Sequence, residues 1–321
     1  MAKMKVEPLD FRELEEKFCG SLLGLALGDT LGELAFTARS RRRLEESLKS
    51  LDHLSYTDDT AMAIALAQSL LQEKDLHPQS LGKCFHEAYL QEPWRGYGPG
   101  PRRIFSLVTK TGLSYLEAAQ KLYRGQGSLG NGAAMRIAPV SLFFLEHPEL
   151  EAKARLSAAV THAHPVGQDG AVVLARAVAE VIKLRPPTGL NKVGLITLLL
   201  TIAQTEEIRE KLHQIIKLLE KEAGLKEAAS LLGTSVIVQE SMPYALYAFL
   251  SHPTNFKEAL LAAILQGGDR DTIGAMTGAL AGAYLGIKAL PKEWLDKLEN
   301  RDKIETLARK LGHQRQNYSS K

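Results

Sequence analysis

Apolar residues recur at helical spacing along nearly the whole chain. The segments with this period include FCGSLLGLAL, AMAIALAQSLL, GAVVLARAVAEVIKLR, LITLLLTIAQ, ESMPYALYAFLSH and KEALLAAILQ. Apolar side chains three and four positions apart lie on one face of an α-helix. The sequence has no clear runs of alternating β-branched or aromatic residues, the pattern typical of β-strands. The pattern therefore predicts an all-α protein of about a dozen helices.

Helix-breaking residues fall between these segments or at their ends; they are Pro139, Pro165, Gly189, Gly224, Pro243 and Pro253. Ala and Gly crowd the segment TGALAGAYLG, and such small side chains allow two helix backbones to approach closely. We therefore expect this helix at the centre of the bundle. Because no linker, low-complexity segment or fixed-period repeat stands out, we expect one compact domain over residues 1–321, with a core from about 11 to 313.

The distribution of charge argues against a nucleic-acid partner. The net charge of the 321-residue chain is only +3. The basic run RSRRR at 39–43 is followed at once by Glu45 and Glu46. A run of mixed sign is typical of a solvated helix face, and we expect that role here.

The cysteines and the first residues of the chain bear on its location. Cys19 and Cys84 lie in apolar segments without the spacing of a metal site or redox motif, so we expect buried free thiols in a reducing compartment. The first segment, MAKMKVEPLDFRELEE, has no apolar signal core, and no uncharged stretch reaches the roughly 20 residues that span a bilayer. We expect a cytoplasmic protein with no membrane partner. We also expect a monomer.

Two apolar helices begin with more oxygen-bearing side chains than a helix start needs. One such side chain is enough to cap a helix, whereas SYTDDT and GGDRDT each supply several. A helix N-terminus opposes a cation, but four clustered carboxylates repel one another until cations or protons intervene. All these side chains offer oxygen, the donor that Mg²⁺ prefers. The spacing alone leaves capping and a metal site both open for Thr57, Asp58, Asp59, Asp269, Asp271 and Thr272.

A glycine-rich segment, GQGSLGNG at 125–132, contains the G-x-G-x-x-G pattern of dinucleotide-binding folds. That pattern requires a preceding strand, and the segment before it, SYLEAAQKLY, has helical periodicity. We therefore reject a Rossmann interpretation. Glycine backbone can still approach a ligand closely and direct N–H groups at a phosphate on any fold. A loop with several positive-φ turns explains the glycines equally well.

Three ring-bearing side chains near these motifs also have two interpretations each. Tyr123 precedes the glycines and could stack on a base or pack in the core. His162 and His164 lie two apart in THAHP, where they could bind a metal. A hydrogen-bonded or helix-capping histidine is the commoner role.

Taken together, these motifs resemble the ADP-ribosylhydrolase (ADP-ribosylglycohydrolase) family. The resemblance rests on GLALGDTLG, YTDDTAMAIA, GSLGNGAAMRIAPVS, THAHPVGQDGA and GGDRDTIGAMTGALAGAYLG, in that order. The segments RGYGPG and ESMPYALYAFL are similar to the branch that cleaves ADP-ribosyl-serine and poly(ADP-ribose). The resemblance implies a compact, orthogonal all-α bundle around two Mg²⁺ ions. It also implies hydrolysis of the C1″ bond of an ADP-ribosylated protein or peptide, with release of ADP-ribose.

The resemblance assigns roles to individual residues of this chain. It implies that two motifs hold the metals, namely Thr57, Asp58 and Asp59 in the first and Asp269, Asp271 and Thr272 in the second. Of these, it implies catalytic roles for Asp58, Asp59 and Asp271, with Asp271 bridging the ions. It implies that the diphosphate and distal ribose are held by a loop containing Gly127, Ser128, Gly130 and Asn131. Tyr123 is then expected near the adenosine and His162 in the ligand cleft, while His164 keeps a structural role.

The chain departs from the family pattern at two positions. The family usually has a glutamate seven residues after the aspartate of the GD pair, and that count from Asp29 reaches Phe36. Glu33 is the nearby carboxylate and becomes a candidate catalytic residue in its place. Leu129, a candidate substrate contact, stands where the serine-directed branch tends to have a tyrosine. These departures leave two alternatives: an ADP-ribose-binding pseudoenzyme, or a hydrolase of another conjugate such as ADP-ribosyl-arginine, an ADP-ribosylated base, O-acetyl-ADP-ribose or the polymer.

Overall fold

The computed structural model describes residues 9–187 and 189–319, with side chains as far as residue 314. The predicted all-α class is confirmed, since these ranges contain seventeen α-helices and no β-strand. The helices are α1 (Phe11–Ala35), α2 (Arg41–Ser50), α3 (Asp58–Glu73), α4 (Pro78–Gln91), α5 (Pro99–Thr111), α6 (Tyr115–Gln120), α7 (Ala138–Phe143), α8 (Leu150–Ala159), α9 (Pro165–Ile182), α10 (Lys192–Ile202), α11 (Glu206–Glu220), α12 (Leu225–Leu232), α13 (Val238–Ser251), α14 (Phe256–Ile264), α15 (Arg270–Leu285), α16 (Lys292–Leu295) and α17 (Arg301–Ser319).

The helix count exceeds the predicted dozen because several helices are too short to show a period. Thus α6 and α7 have six residues each and α16 has four. Buried apolar residues form one continuous core that extends from Phe18 to Leu311. Pro243 lies inside α13 and not at its end, so its interpretation as a helix breaker was wrong.

The centre of the bundle is an antiparallel pair formed by α1 and α15. Glycines recur every four residues on the facing sides of both helices. A Cβ atom added at Gly278 would lie 2.0 Å from the carbonyl oxygen of Gly24. The backbones therefore touch without intervening side chains, as expected for TGALAGAYLG. The facing pairs are Gly20 with Gly282, Gly24 with Gly278, and Gly28 with Gly274.

This pairing brings the start of α15 beside the last turns of α1. A Cβ atom at Gly32 would lie 2.4 Å from the Cα atom of Asp271. The third helix also packs against α1 and α15, and its first residue is Asp58. The chain just before α3 is fixed at Leu54, which exchanges backbone hydrogen bonds with Lys297 and Glu299. Three segments distant in sequence thus meet at one end of the central pair.

α1 is the one helix in the described ranges that is long and apolar enough to cross a bilayer. Its most apolar stretch is 89 % buried among the other helices, and core helices of globular proteins pass the same test. The basic run lies on α2, where Arg41 pairs with Glu45 and Glu258, as expected for a solvated helix face. Cys19 is buried, and Cys84 is half-buried.

Candidate active site

A cavity of about 330 Å³ opens where the starts of α3 and α15 meet the glycine loop. Its wall also includes Gly96, residues 98–101, Val236 and the Thr161–His162 pair. Ten residues singled out from the sequence line it: Tyr123, Asp58, Asp59, Ser128, Gly130, Asn131, His162, Asp269, Asp271 and Thr272. The fold therefore gathers motifs more than two hundred residues apart in the sequence into one cavity.

Four other residues named from the sequence lie outside this cavity. Thr57 and Glu33 line an adjoining groove, which shares Asp58, Gly96 and Asp271 with the cavity and which we call the outer groove. The side chain of Leu129 packs against the core and does not face the cavity. Gly127 adopts a positive φ of 74° against the backbone of His164, so its place is a turn.

The N-cap residues of the two acidic helix starts do not cap their helices. The N-cap residues of α3 and α15, Thr57 and Asp269, make no side-chain capping hydrogen bond. The Oδ2 atom of Asp269 instead accepts a hydrogen bond of 2.6 Å from the side-chain amide of Asn131. The capping interpretation was therefore wrong for Thr57 and Asp269, whereas Asp271 does accept a hydrogen bond from the backbone N–H of Thr272 at the start of α15.

Asp29, the aspartate of the GD pair, lies in α1 and caps the start of another helix, α3. Its carboxylate accepts hydrogen bonds from the backbone N–H groups of Thr57 and Thr60, and from both hydroxyls, at 2.6 to 3.1 Å. These bonds satisfy donors that a helix start leaves unpaired. Asp29 is fully buried, and burial raises its pKa to about 6 despite the hydrogen bonds. A lone aspartate inside the apolar segment LLGLALGDTLG is the sequence signal for this role.

Burial and mutual repulsion keep the cavity carboxyls from ionising easily. Burial is the main cause that raises the pKa of Asp58 to about 7 and that of Asp271 to about 8. Repulsion by neighbouring carboxylates raises both pKa values further. The largest such contribution comes from Asp29 for Asp58 and from Asp269 for Asp271. Asp59 is shifted well upward for the same reasons, and its Oδ1 atom is buried without a hydrogen-bond partner.

These raised pKa values predict that the metal-free protein loses stability as pH rises. Between the ordinary aspartate value and the folded value, the folded state binds more protons than the unfolded state, so the unfolding free energy falls with pH. The lowered pKa of His162 makes the unfolding free energy rise with pH below pH 6.5. The effect of the carboxyls is therefore best measured between pH 6.5 and 8. We expect a loss of about 2 kcal/mol across it, measured by thermal unfolding in EDTA. The slope should be shallower in Asp271→Asn; an equal slope in that variant would contradict the assignment.

The residues present fit an oxygen-ligated divalent cation by their donor chemistry. Within the described ranges, no three His, Cys, Asp or Glu side chains already stand together as a ready set of metal ligands. The fit rests instead on an all-oxygen donor set and on the unpaired Oδ1 atom of Asp59. Buried polar atoms normally have partners, and a cation bound beside the unpaired Oδ1 atom of Asp59 would supply the missing one.

The glycine loop contains two kinds of glycine. Gly125 and Gly127 have positive φ values of 87° and 74°, which explains them as turn residues. Gly130 and Gly132 lack positive φ but line the cavity, where an added Cβ would approach the ring of His162. Both interpretations of the loop therefore apply, each to different positions. The segment before it is helical, as α6 shows, which agrees with the rejection of a Rossmann fold.

Tyr123 and the histidines differ in their surroundings. The Tyr123 side chain is 46 % exposed at the cavity edge, so its interpretation as a core residue was wrong. His164 accepts a hydrogen bond from the backbone N–H of Val166 and caps α9, as expected. His162 is buried, and burial together with the nearby Arg136 lowers its pKa to about 3, which keeps the ring neutral.

Two arginines beside the site were not singled out from the sequence. Arg136 is fully buried, lines the cavity and lies over the ring of Phe85 at 4.4 Å. Arg95 lies in the outer groove, where it pairs with both carboxylate oxygens of Glu299 and donates to the carbonyl of Tyr56. It thereby fixes the chain immediately before Thr57. An arginine inside an apolar segment, as in AAMRIAPV, is the signal that could have revealed Arg136.

Comparison with known proteins agrees with this arrangement. A family model described as ADP-ribosylglycohydrolase matches residues 11–320. The chain belongs to the ADP-ribosylglycohydrolase family. It is therefore a hydrolase.

Relatives of this ADP-ribosylglycohydrolase cover nearly its whole length. It is 33 % identical to ADP-ribosylhydrolase ARH3 of Xenopus tropicalis, over 92 % of this chain and 94 % of that protein. It is 32 % identical to ADP-ribosylhydrolase ARH3 of Homo sapiens, over 92 % of each chain. A solved structure titled ADP-ribosylglycohydrolase-related protein complex superposes with a TM-score of 0.71 at 27 % identity, covering 95 % of this chain and 99 % of that one.

Proposed function

We propose that the protein is a Mg²⁺-dependent ADP-ribosylhydrolase that cleaves the bond between C1″ of ADP-ribose and a serine of a protein or peptide. The observation that supports this most directly is the pair of acidic helix starts, whose carboxylates line one cavity while the N-cap side chains make no capping bonds. The names of the ARH3 relatives support hydrolysis of an ADP-ribosyl bond. The products are free ADP-ribose and the unmodified protein. We expect the enzyme to act as a cytoplasmic monomer.

Six residues would hold two Mg²⁺ ions. They are Thr57, Asp58, Asp59, Asp269, Asp271 and Thr272. When bound, such ions orient ribose hydroxyls and stabilise charge that develops at the anomeric carbon. Asn131 positions one of these ligands, because its side-chain amide donates to both Asp269 and Ser241.

The remaining cavity residues fit the ADP-ribose portion of the substrate. Gly130 and Gly132 leave space beside His162, where the diphosphate and distal ribose would lie. The exposed ring of Tyr123 stands at the cavity edge and would contact the adenosine. A hydrogen-bond donor such as the ring of His162 attracts an anionic ligand more strongly in a cavity partly closed to water than it would in water.

The outer groove would receive the acceptor side of the scissile bond, because it meets the cavity at Asp58 and Asp271. Glu33 lies in this groove, at the last turn of α1. In glycosidic hydrolysis a carboxyl group protonates the leaving oxygen or activates the attacking water. Glu33 would supply that proton transfer, in place of the glutamate that Phe36 replaces.

A Glu33→Gln variant should test this role. Loss of a positioned acid or base lowers turnover by about 10² to 10⁴, so we expect kcat to fall at least about 10²-fold while KM changes little. The matched control is Glu46→Gln, an exposed carboxylate on α2 paired with Arg42. Unchanged kcat in Glu33→Gln would assign the proton transfer to Asp58 or Asp59 instead.

The proposed activity is tested with an ADP-ribosyl-serine peptide, with Mg²⁺ and separately with EDTA. We expect ADP-ribose to be released only with Mg²⁺. Parallel reactions should contain an ADP-ribosyl-arginine peptide, O-acetyl-ADP-ribose and poly(ADP-ribose), since Leu129, which packs against the core, stands where the serine branch tends to have a tyrosine. Turnover of one of these alone would change the substrate. ADP-ribose binding without turnover of any would indicate a binding protein.

A further inference from the structure

The hydrogen bonds behind the cavity wall constrain the hydroxyl group of Thr161. The fully buried guanidinium of Arg136 donates from Nη2 to Thr161 Oγ1 at 2.6 Å and from Nη1 to the carbonyl of Gly132 at 2.5 Å. A guanidinium has donors and no acceptor. The hydroxyl oxygen of Thr161 must therefore be the acceptor in its bond with Arg136.

The same hydroxyl also contacts a ring nitrogen of His162. The distance from Thr161 Oγ1 to His162 Nδ1 is 2.7 Å. The hydroxyl has one proton, and in the described residues Nδ1 is the acceptor that it can reach. If Nδ1 were protonated instead, the hydroxyl proton would be left without an acceptor at a side chain only 1 % exposed. The arrangement that gives the hydroxyl proton of Thr161 an acceptor has Nδ1 unprotonated.

A neutral imidazole with Nδ1 unprotonated has its proton on Nε2. That atom lies beside the glycine loop: a Cβ atom added at Gly132 would be 3.2 Å from it, and one at Gly130 would be 3.6 Å from it. His162 lines the cavity, and Nε2 makes no hydrogen bond with the described part of the chain. The free N–H group therefore faces the space left by the two glycines.

We propose that Arg136 and Thr161 are positioning residues that hold His162 as the Nε2–H tautomer, so that its ring donates a hydrogen bond to an oxygen of the bound ligand. The ligand part of this inference rests on the proposed function, and the oxygen would belong to the diphosphate or distal ribose of ADP-ribose. We call the hydrogen-bonded series Arg136–Thr161–His162 the relay. It gives the cavity a neutral hydrogen-bond donor of fixed direction. An oxygen acceptor satisfies this donor, whereas a ligand that presents its own N–H or O–H proton there does not.

The tautomer is measured by two-bond ¹H–¹⁵N NMR on ¹⁵N-labelled protein at neutral pH, a spectrum in which the two neutral tautomers and the imidazolium differ. The His162 signals are identified by their loss in His162→Gln. We expect the wild-type ring to be the Nε2–H tautomer. An Nδ1–H ring or an imidazolium would overturn the proposal without reference to any variant or ligand.

Two variants of Thr161 test the relay itself. Thr161→Val keeps the shape but removes the hydroxyl, so the ring should become a mixture of tautomers and ADP-ribose should bind about tenfold more weakly. Thr161→Ser should retain the wild-type spectrum and affinity. Retention of the Nε2–H signature in Thr161→Val, or its loss in the serine variant, would contradict the relay. Absence of ADP-ribose binding by the wild-type protein would instead refute the proposed function, and the NMR result would still decide the tautomer.

Discussion

Asp271→Asn is expected to lose about 10³-fold in Mg²⁺-dependent kcat/KM and, when metal-free, to melt at a higher temperature than the wild-type protein. The first effect follows because Asp271 is the proposed bridging ligand. The second follows from partial burial and repulsion: burial is the main cause that raises the pKa of Asp271, and the carboxylates of Asp269 and Asp29 raise it further. Asparagine keeps the shape and cannot ionise, so it should relieve both costs.

The two effects are separated by measuring stability with and without Mg²⁺. Wild-type protein should gain melting temperature as Mg²⁺ is added, because a ligand that binds only the folded state stabilises it. The variant should gain much less. Asp52→Asn is a suitable control, since Asp52 is exposed and lies outside the cavity and the outer groove. Full Mg²⁺-dependent turnover in Asp271→Asn would refute the metal assignment, and an unchanged metal-free melting temperature would refute the repulsion argument.

Gly278→Ala is expected to destabilise the protein by about 3 kcal/mol. The added Cβ would lie 2.0 Å from the carbonyl oxygen of Gly24, and backbone cannot turn aside as a flexible side chain can. The central helices would have to separate. Overall stability of a domain is about 5 to 15 kcal/mol, so this loss would be a large part of it.

The control for this variant is Gly100→Ala in α5, with stability as the measured quantity. There the added Cβ meets nothing closer than a methyl group of Leu122 at 3.7 Å. Because Gly100 precedes Pro101 in the first turn, alanine gains no helix-interior preference there, and we expect Gly100→Ala to cost at most about 1 kcal/mol in denaturant unfolding. If both variants lost the same stability, close backbone approach would not be the cause.

The helical period was sufficient to predict the fold class, and the excess of oxygen atoms at two helix starts indicated residues that line the cavity. The sequence did not show whether those atoms act as caps, because the cap of α3 comes from Asp29, which lies in a different helix. A local pattern contains no information on such a partner. Side-chain direction was equally hidden: Ser128 and Leu129 are adjacent, yet Ser128 lines the cavity and Leu129 packs against the core.

Tertiary packing also overrode local rules elsewhere. Pro243 removes a backbone donor from α13, yet this helix continues to Ser251 with most of its side chains buried. Arg136 and Thr161 occur in motifs already noted, but their link to His162 crosses from one motif to another. The sequence predicted a central position for α15, whose density of small residues is higher, but it did not identify α1 as the helix that packs against it.

The four-residue repeat of glycine on α1 and α15 makes the alignment of these helices discrete. Sliding one helix by one, two or three residues would drive side chains into the opposing backbone, so the nearest alternative lies four residues, about 6 Å, away. A shift of that size would carry Asp271 away from Asp29, which orients the start of α3. Collision between the backbones therefore excludes folded states in which the start of α15 is shifted by only one to three residues from its place in the cavity. Folded molecules should consequently be uniform in their active-site content, and loss of activity should track loss of folded protein.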